Sequence, residues 1–187
     1  GLSLVGSEMC IRDRDSSSIA FSVSGEGLSM SSSGVLTFST APDFETQSSY
    51  SGTITATDGI NSSTQNIVVS VSNVNEAPVF TSSTLYDADE NQTAIGTVTA
   101  TDDDGDTIAY SISGTDSGSI SINSSSGVLT FNSPPDYESQ TSYSIVVAAS
   151  DGTNTATQDV TITIINVNEA PTMSLTQLNN NEGDTLY

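Results

Sequence analysis

Apolar and polar residues alternate with a period of two through much of this chain. Tyr143, Ile145, Val147 and Ala149 alternate with Ser144, Val146 and Ala148, and Val160, Ile162 and Ile164 alternate with Thr161 and Thr163. A period of two places one set of side chains on each face of a strand, so these runs predict strands buried chiefly on one side. Such runs recur at roughly 8–12 residue spacing between clusters of Gly, Asp, Asn, Pro and Ser, the pattern of an all-β sandwich or barrel. No stretch of helical periodicity carries helix start and stop signals. The pattern predicts seven strands in the second half of the chain, near 84–87, 94–101, 107–113, 118–123, 128–131, 142–150 and 157–167. The expected core is Val98, Ile108, Tyr110, Ile112, Ile120, Leu129, Phe131, Tyr143, Ile145, Val147, Val160, Ile162 and Ile164.

The chain repeats itself. Ser33-Gly34-Val35-Leu36-Thr37-Phe38 returns as Ser126-Gly127-Val128-Leu129-Thr130-Phe131, and Pro42-Asp43-Phe44-Glu45 as Pro135-Asp136-Tyr137-Glu138. Ala56-Thr57-Asp58-Gly59 returns as Ala149-Ser150-Asp151-Gly152, and Asn73-Val74-Asn75-Glu76-Ala77-Pro78 as Asn166-Val167-Asn168-Glu169-Ala170-Pro171. All four pairs are 93 residues apart. That period is too long for a solenoid repeat and suits an immunoglobulin-like sandwich of roughly 100 residues. It divides the chain into the C-terminal part of one repeat at 15–78, a complete repeat at 79–171, and the opening of a third at 172–187.

Composition narrows the function. Hydrophobic residues make up 34% of the 187 positions, and Asp plus Glu total 23 against 2 Lys plus Arg, a net charge of −21. Phosphate contacts and anionic membrane surfaces both require basic side chains, so nucleic-acid and lipid-surface binding are excluded. Arg12, Arg14 and the single cysteine, Cys10, all fall in GLSLVGSEMCIRDR, residues 1–14, which reads as a translated adapter remnant of a metagenomic fragment and is set apart from the fold. Beyond it there is no Lys, Arg, His or Cys. Disulfides, nucleophilic triads and most general-base schemes are thereby unavailable, and the chain is expected not to be an enzyme. A carboxylate pair such as Asp136 and Glu138 in a glycoside-hydrolase role is the weakest of the readings.

The acids gather at strand ends. In the complete repeat they include Asp87, Asp89 and Glu90, then Asp102, Asp103, Asp104 and Asp106, then Asp136 and Glu138, then Asp151, and finally Glu169. Crowded carboxylates repel, and no cationic side chain is at hand to neutralise them. A hard divalent ion does so: Ca²⁺ takes about six to eight oxygen ligands from carboxylates, amides, carbonyls and water. The Asp102–Thr107 run is not an EF-hand loop, because Gly is missing at its sixth position and Ser113 stands where the closing Glu belongs. Asp and Asn also serve turns by accepting local backbone amides, which is the plainer role for Asp58 or Asp151 before Gly.

These motifs in this order resemble the cadherin repeat, in the form found in large bacterial surface proteins. Glu90-Asn91, Ala100-Thr101-Asp102-Asp103-Asp104-Gly105, Asp136 with Glu138, Ala149-Ser150-Asp151-Gly152 and Asn166–Pro171 are similar to five elements of that family. The resemblance implies a tandem Greek-key β-sandwich array that binds calcium where repeats meet. It implies ligands at the first junction from Asp43, Glu45, Asn73, Asn75, Glu76, Asp102, Asp104 and Asp151. At the second they are Glu90, Asp136, Glu138, Asn168 and Glu169. The linker is one residue shorter than the vertebrate form and has fewer Asp, which puts one of the family's several ions in doubt. The implied role is an extracellular or cell-surface array, stiffened by calcium, acting as a structural or adhesive element, homophilic or heterophilic. The alternative is a polysaccharide-binding module, for which Tyr86, Tyr137 and Tyr187 are the candidate platforms.

Overall fold

The structure, a computed structural model, describes residues 18–171. These residues form two compact units, one taking in the chain up to Glu76 with the Asp103–Asp106 turn, the other Ala77–Asp102 and everything from Thr107.

The second unit is an all-β sandwich. One sheet has the order β10 (Ala109–Ser113), β13 (Ser142–Ser150), β14 (Thr155–Ile165), β7 (Leu85–Asp89); the facing sheet has the order β11 (Ile120–Ile122), β12 (Val128–Phe131), β8 (Ala94–Thr97). The long β13–β14 hairpin runs in unbroken antiparallel register from Ser142↔Thr163 to Ser150↔Thr155, and β7 joins β14 in parallel. Its alternation does what period two requires: Tyr143, Ile145, Val147 and Ala149 point inward and are buried, as are Val160, Ile162 and Ile164. Each such aliphatic side chain contributes about 1.5–3 kcal/mol by leaving water. Leu129 and Phe131 close the core from the other sheet, Phe131 meeting the Tyr143 ring edge-on at 5.0 Å.

Three expectations are corrected. The strand expected at 94–101 is two strands, β8 and β9 (Ala100–Thr101), because Val98 turns fully inward and its N–H bonds Gly127 O at 2.9 Å; β8 then pairs with β12 while β9 pairs with β6 (Val79–Phe80). A strand that changes sheets at a corner carries a local break of this kind. The start of the run at 118–123 is a 3-10 turn, Ser117–Ser119, leaving β11 as Ile120–Ile122. Ile108 and Ile112 are only partly buried, while Ala88 and Ala149 join the core. The tight approach at Gly127 demands glycine: its φ is +70°, and a Cβ there would lie 2.1 Å from Val98 O.

The first unit holds the sheet β1 (Ala20–Ser24), β4 (Ser49–Thr57), β5 (Ser62–Ser70) and the pair β2 (Leu28–Met30), β3 (Leu36–Phe38). The repeat is visible in three dimensions. Phe38 and Tyr50, 93 residues before Phe131 and Tyr143, pack edge-on at the same 5.0 Å. Ile54, Ala56 and Leu28 are its buried apolar side chains.

Candidate metal centres

Two clusters of three carboxylates stand out among the described residues, each with one oxygen per residue inside 4.8 Å of the others: Glu45, Glu76 and Asp104 in the first unit, and Glu90, Asp136 and Glu138 in the second.

The Pro-Asp-aromatic-Glu turns build one side of each. After Pro42, Asp43 caps its own turn: Oδ1 accepts from Glu45 N–H at 3.0 Å and Thr46 N–H at 3.3 Å, and Oδ2 accepts from Thr46 Oγ at 2.7 Å. Those bonds hold Asp43 ionised, its carboxyl below the usual range through the Thr46 hydroxyl first. They also aim Glu45 outward. Asp136 repeats the arrangement, accepting from Glu138 N–H at 3.1 Å and Ser139 Oγ at 2.8 Å.

In the first cluster Asp104 is fixed by two donors. Asn73 Nδ2 donates to Oδ1 at 2.7 Å and Glu76 N–H to Oδ2 at 3.0 Å, and these bonds, the Asn73 contact foremost, pull its pKa down. Glu45 and Glu76 behave oppositely. Desolvation raises both, and repulsion adds to it, from Glu76 on Glu45 and from Asp104 on Glu76. No Lys, Arg or His occurs in residues 18–171 to relieve the crowding.

In the second cluster Glu90 is 1% exposed, the only charged residue in the core of the described chain. It is held by backbone alone: Oε1 accepts from Val167 N–H at 2.7 Å and Oε2 from Tyr137 N–H at 3.0 Å. Two amide donors take the place of water around its oxygens. Asn166 Nδ2 donates to Glu138 Oε1 at 3.0 Å. Asn91, at φ +62°, sends Nδ2 to Glu169 Oε1 at 2.6 Å.

The other residues named from sequence are not members of these triplets. Asp151 accepts from the N–H groups of Thr153 and Asn154 at 2.5 and 2.6 Å, the hairpin-turn role that Asp58 plays with Ile60 and Asn61. Asp102 is half-buried at the end of β9. Asn75 donates to Glu76 O at 3.1 Å, Asn168 lies exposed in the linker, and Glu169 turns toward Asn91. Asn166 was missed, although it stands 93 residues after Asn73 and likewise donates to a triplet carboxylate, Glu138 where Asn73 meets Asp104. The backbone donors at Tyr137 and Val167 leave no mark in sequence. Of the candidate aromatic platforms, Tyr86 and Tyr137 pack against the core, and Tyr86 bonds Thr97 O at 2.9 Å; Tyr187 lies outside the described residues.

All donors at both centres are hard oxygens, many of them ionised, which is the set a calcium ion selects.

The same fold is met in known proteins. Residues 83–168 match the cadherin domain family model. The Fat-like cadherin-related tumor suppressor homolog of Drosophila melanogaster is 33% identical over 115 residues, which is 57% of this chain and 2% of that protein. Among solved structures, human protocadherin-24 EC1-2 superposes with a TM-score of 0.58 at 20% identity, covering 83% of this chain and 85% of that one. Protocadherin Gamma B2 extracellular cadherin domains 3-6 superpose with a TM-score of 0.55 at 29% identity, covering 79% and 40%. The fold is that of the immunoglobulin-like cadherin sandwich, and the repeat at 83–168 is a match, in sequence and in architecture, to an extracellular cadherin domain.

Proposed function

We propose that this chain is part of an extracellular array of cadherin-like repeats in which calcium, held at the two carboxylate centres, stiffens the connections and so sets the reach of a structural or adhesive element. One observation carries the reading. Equivalent turns of successive repeats, at Asp43–Glu45 and Asp136–Glu138, each supply carboxylate to a triplet that has no basic counterion among the described residues.

In the first centre the ion would rest on Glu45, Glu76 and Asp104, which come from before, within and after the Asn73–Pro78 connector. Asn73 and Asn75 supply amide oxygens close by in sequence, and Asp43, Asp102 and Asp151 are the further carboxylates the resemblance assigns there. In the second centre it would rest on Glu90, Asp136 and Glu138, with Asn168 and Glu169 from the linker. The ion supplies positive charge that relieves the repulsion and cross-links distant chain segments. Cadherin domains are extracellular modules, and those of this class bind calcium at about 10⁻⁴–10⁻³ M, so the array is loaded outside a cell and empty inside one. The linker form Asn-Glu-Ala-Pro points to a surface protein of the bacterial type, with partners among its own neighbouring repeats and other surface proteins, in homophilic or heterophilic contact. No helix among the described residues is long and apolar enough to cross a membrane.

The test is calorimetric titration of calcium into the chain, followed by small-angle scattering with calcium and with chelator. Heat of binding, a higher melting point and a stiffer, longer particle are expected with calcium. A titration without heat and a melting point indifferent to chelator would reduce the connector to an acidic tether.

A further inference from the structure

Each carboxylate triplet has a side-chain amide turned on it by its nitrogen. Asn73 Nδ2 donates to Asp104 Oδ1 at 2.7 Å, and Asn166, 93 residues later, donates through Nδ2 to Glu138 Oε1 at 3.0 Å. Both asparagines open a connector, and both reach a turn far off in sequence: Asp104 lies 31 residues after Asn73, and Glu138 lies 28 residues before Asn166. Asn91, just past β7, does the same to a linker carboxylate, donating to Glu169 Oε1 at 2.6 Å.

The orientation of these amides has a chemical reason. An ionised carboxylate only accepts, so an amide beside one must present its nitrogen. A calcium ligand must present an oxygen. The face that Asn73 and Asn166 turn to their triplets is therefore the one that suits a metal-free centre. Residues 18–171 contain no Lys, Arg or His, so the partial positive charge of an amide N–H is what a side chain can offer there instead of a cation.

We propose that Asn73 and Asn166 are metal-free latches: each amide takes a counter-ion's place on one carboxylate of its triplet and ties the connector to a distant turn, and calcium must break that tie to load the centre. Ion and amide nitrogen both bring positive charge to the same oxygen, so the two contacts exclude one another. The latch itself stands without calcium, and the exchange rests on the calcium reading above. Its consequence is regulatory. The connector stays tied when calcium is low, and the calcium level that loads it is higher than the carboxylates alone would set.

Melting curves of the full chain, of Asn73→Ala and of Asn166→Ala, each in chelator and in saturating calcium, decide the matter. In chelator each substitution is expected to lower the midpoint of its unit by about 4 °C or more. In calcium that loss should shrink by about half or more, because the tie is already broken in the parent. Asn166→Asp keeps the shape, cannot donate and adds a charge, so in chelator it should lose more than Asn166→Ala. In the unsubstituted chain, exchange of the Asn166 side-chain N–H protons should be slow in chelator and faster in calcium. Variants that melt with the parent in chelator overturn the proposal. So does a loss as large or larger in calcium, which would make these asparagines plain ligands or plain structural contacts. If calcium leaves the parent's midpoint unmoved, the calcium reading fails and the exchange with it, while the chelator melts still decide the latch.

Discussion

Glu90 offers the sharpest test of how the second centre is built, because three effects compete there. Replacing it with Ala leaves the N–H groups of Tyr137 and Val167 without their acceptor. An orphaned donor costs about 1–3 kcal/mol, and both sites admit some water, so the pair should cost roughly 2–4 kcal/mol. Against this, removing one charge relieves repulsion from Asp136 and Glu138, but both are solvent-exposed and the gain is screened. The third effect, loss of packing around a side chain 1% exposed, adds to the cost. The orphaned donors win. In chelator, Glu90→Ala should lower the melting point of this unit by at least about 8 °C, taking about 4–8 °C per kcal/mol for a domain of this size. Glu90→Gln separates the terms: it removes the same charge but keeps one acceptor, so it should lose about half as much. Circular dichroism melts give the midpoints, and hydrogen exchange at the Tyr137 and Val167 amides reads the two bonds directly. If both variants are more stable than the parent in chelator, repulsion dominates and the account of Glu90 as an amide-anchored core carboxylate is wrong.

Other outcomes follow from the same structure. Gly127→Ala should destabilise the second unit by about 3 kcal/mol or more in urea unfolding, since it combines a left-handed φ with a Cβ 2.1 Å from Val98 O. Asp104→Asn should weaken calcium binding at the first centre in calorimetry while Asp159→Asn, on the exposed face of β14, leaves it unchanged. Glu45 and Glu76 have raised folded-state pKa values, so their contribution to metal-free stability is full below the unfolded value of 4.5 and is lost as pH rises through the folded one. A pH series of melts in chelator should therefore show that decline, and Glu76→Gln should flatten it; Asp43, Asp104 and Asp136, with lowered values, act in the opposite sense below 3.8.

What could be read from the sequence, and what could not, divides along physical lines. The β13–β14 hairpin was legible because one buried face imposes strict alternation, and Tyr143 through Ala149 and Val160 through Ile164 obey it. The break at Val98 was not, because a strand that changes sheets keeps its apolar side chain while losing its ladder, and only the Val98–Gly127 bond reveals the corner. The carboxylate triplets were partly legible. Asp136 and Glu138, or Glu45 and Glu76, advertise themselves by charge and by the 93-residue echo, yet Asp151 carries the same marks and caps a hairpin turn. Residue type alone cannot separate those roles, since both need an oxygen at the edge of a turn. Glu90 is the instructive case. Its neighbours Asp87 and Asp89 are exposed on β7, and although the Glu90-Asn91 element singled Glu90 out by resemblance, charge and spacing alone did not show that it is buried. Strand parity does, once the register is known: Tyr86 and Ala88 face inward, so the next inward position falls on Glu90, just past the end of the strand where two backbone amides converge. A carboxylate is tolerated at that inward position because the fold supplies donors there, and the donors exist because the linker and the Pro135 turn pass close by.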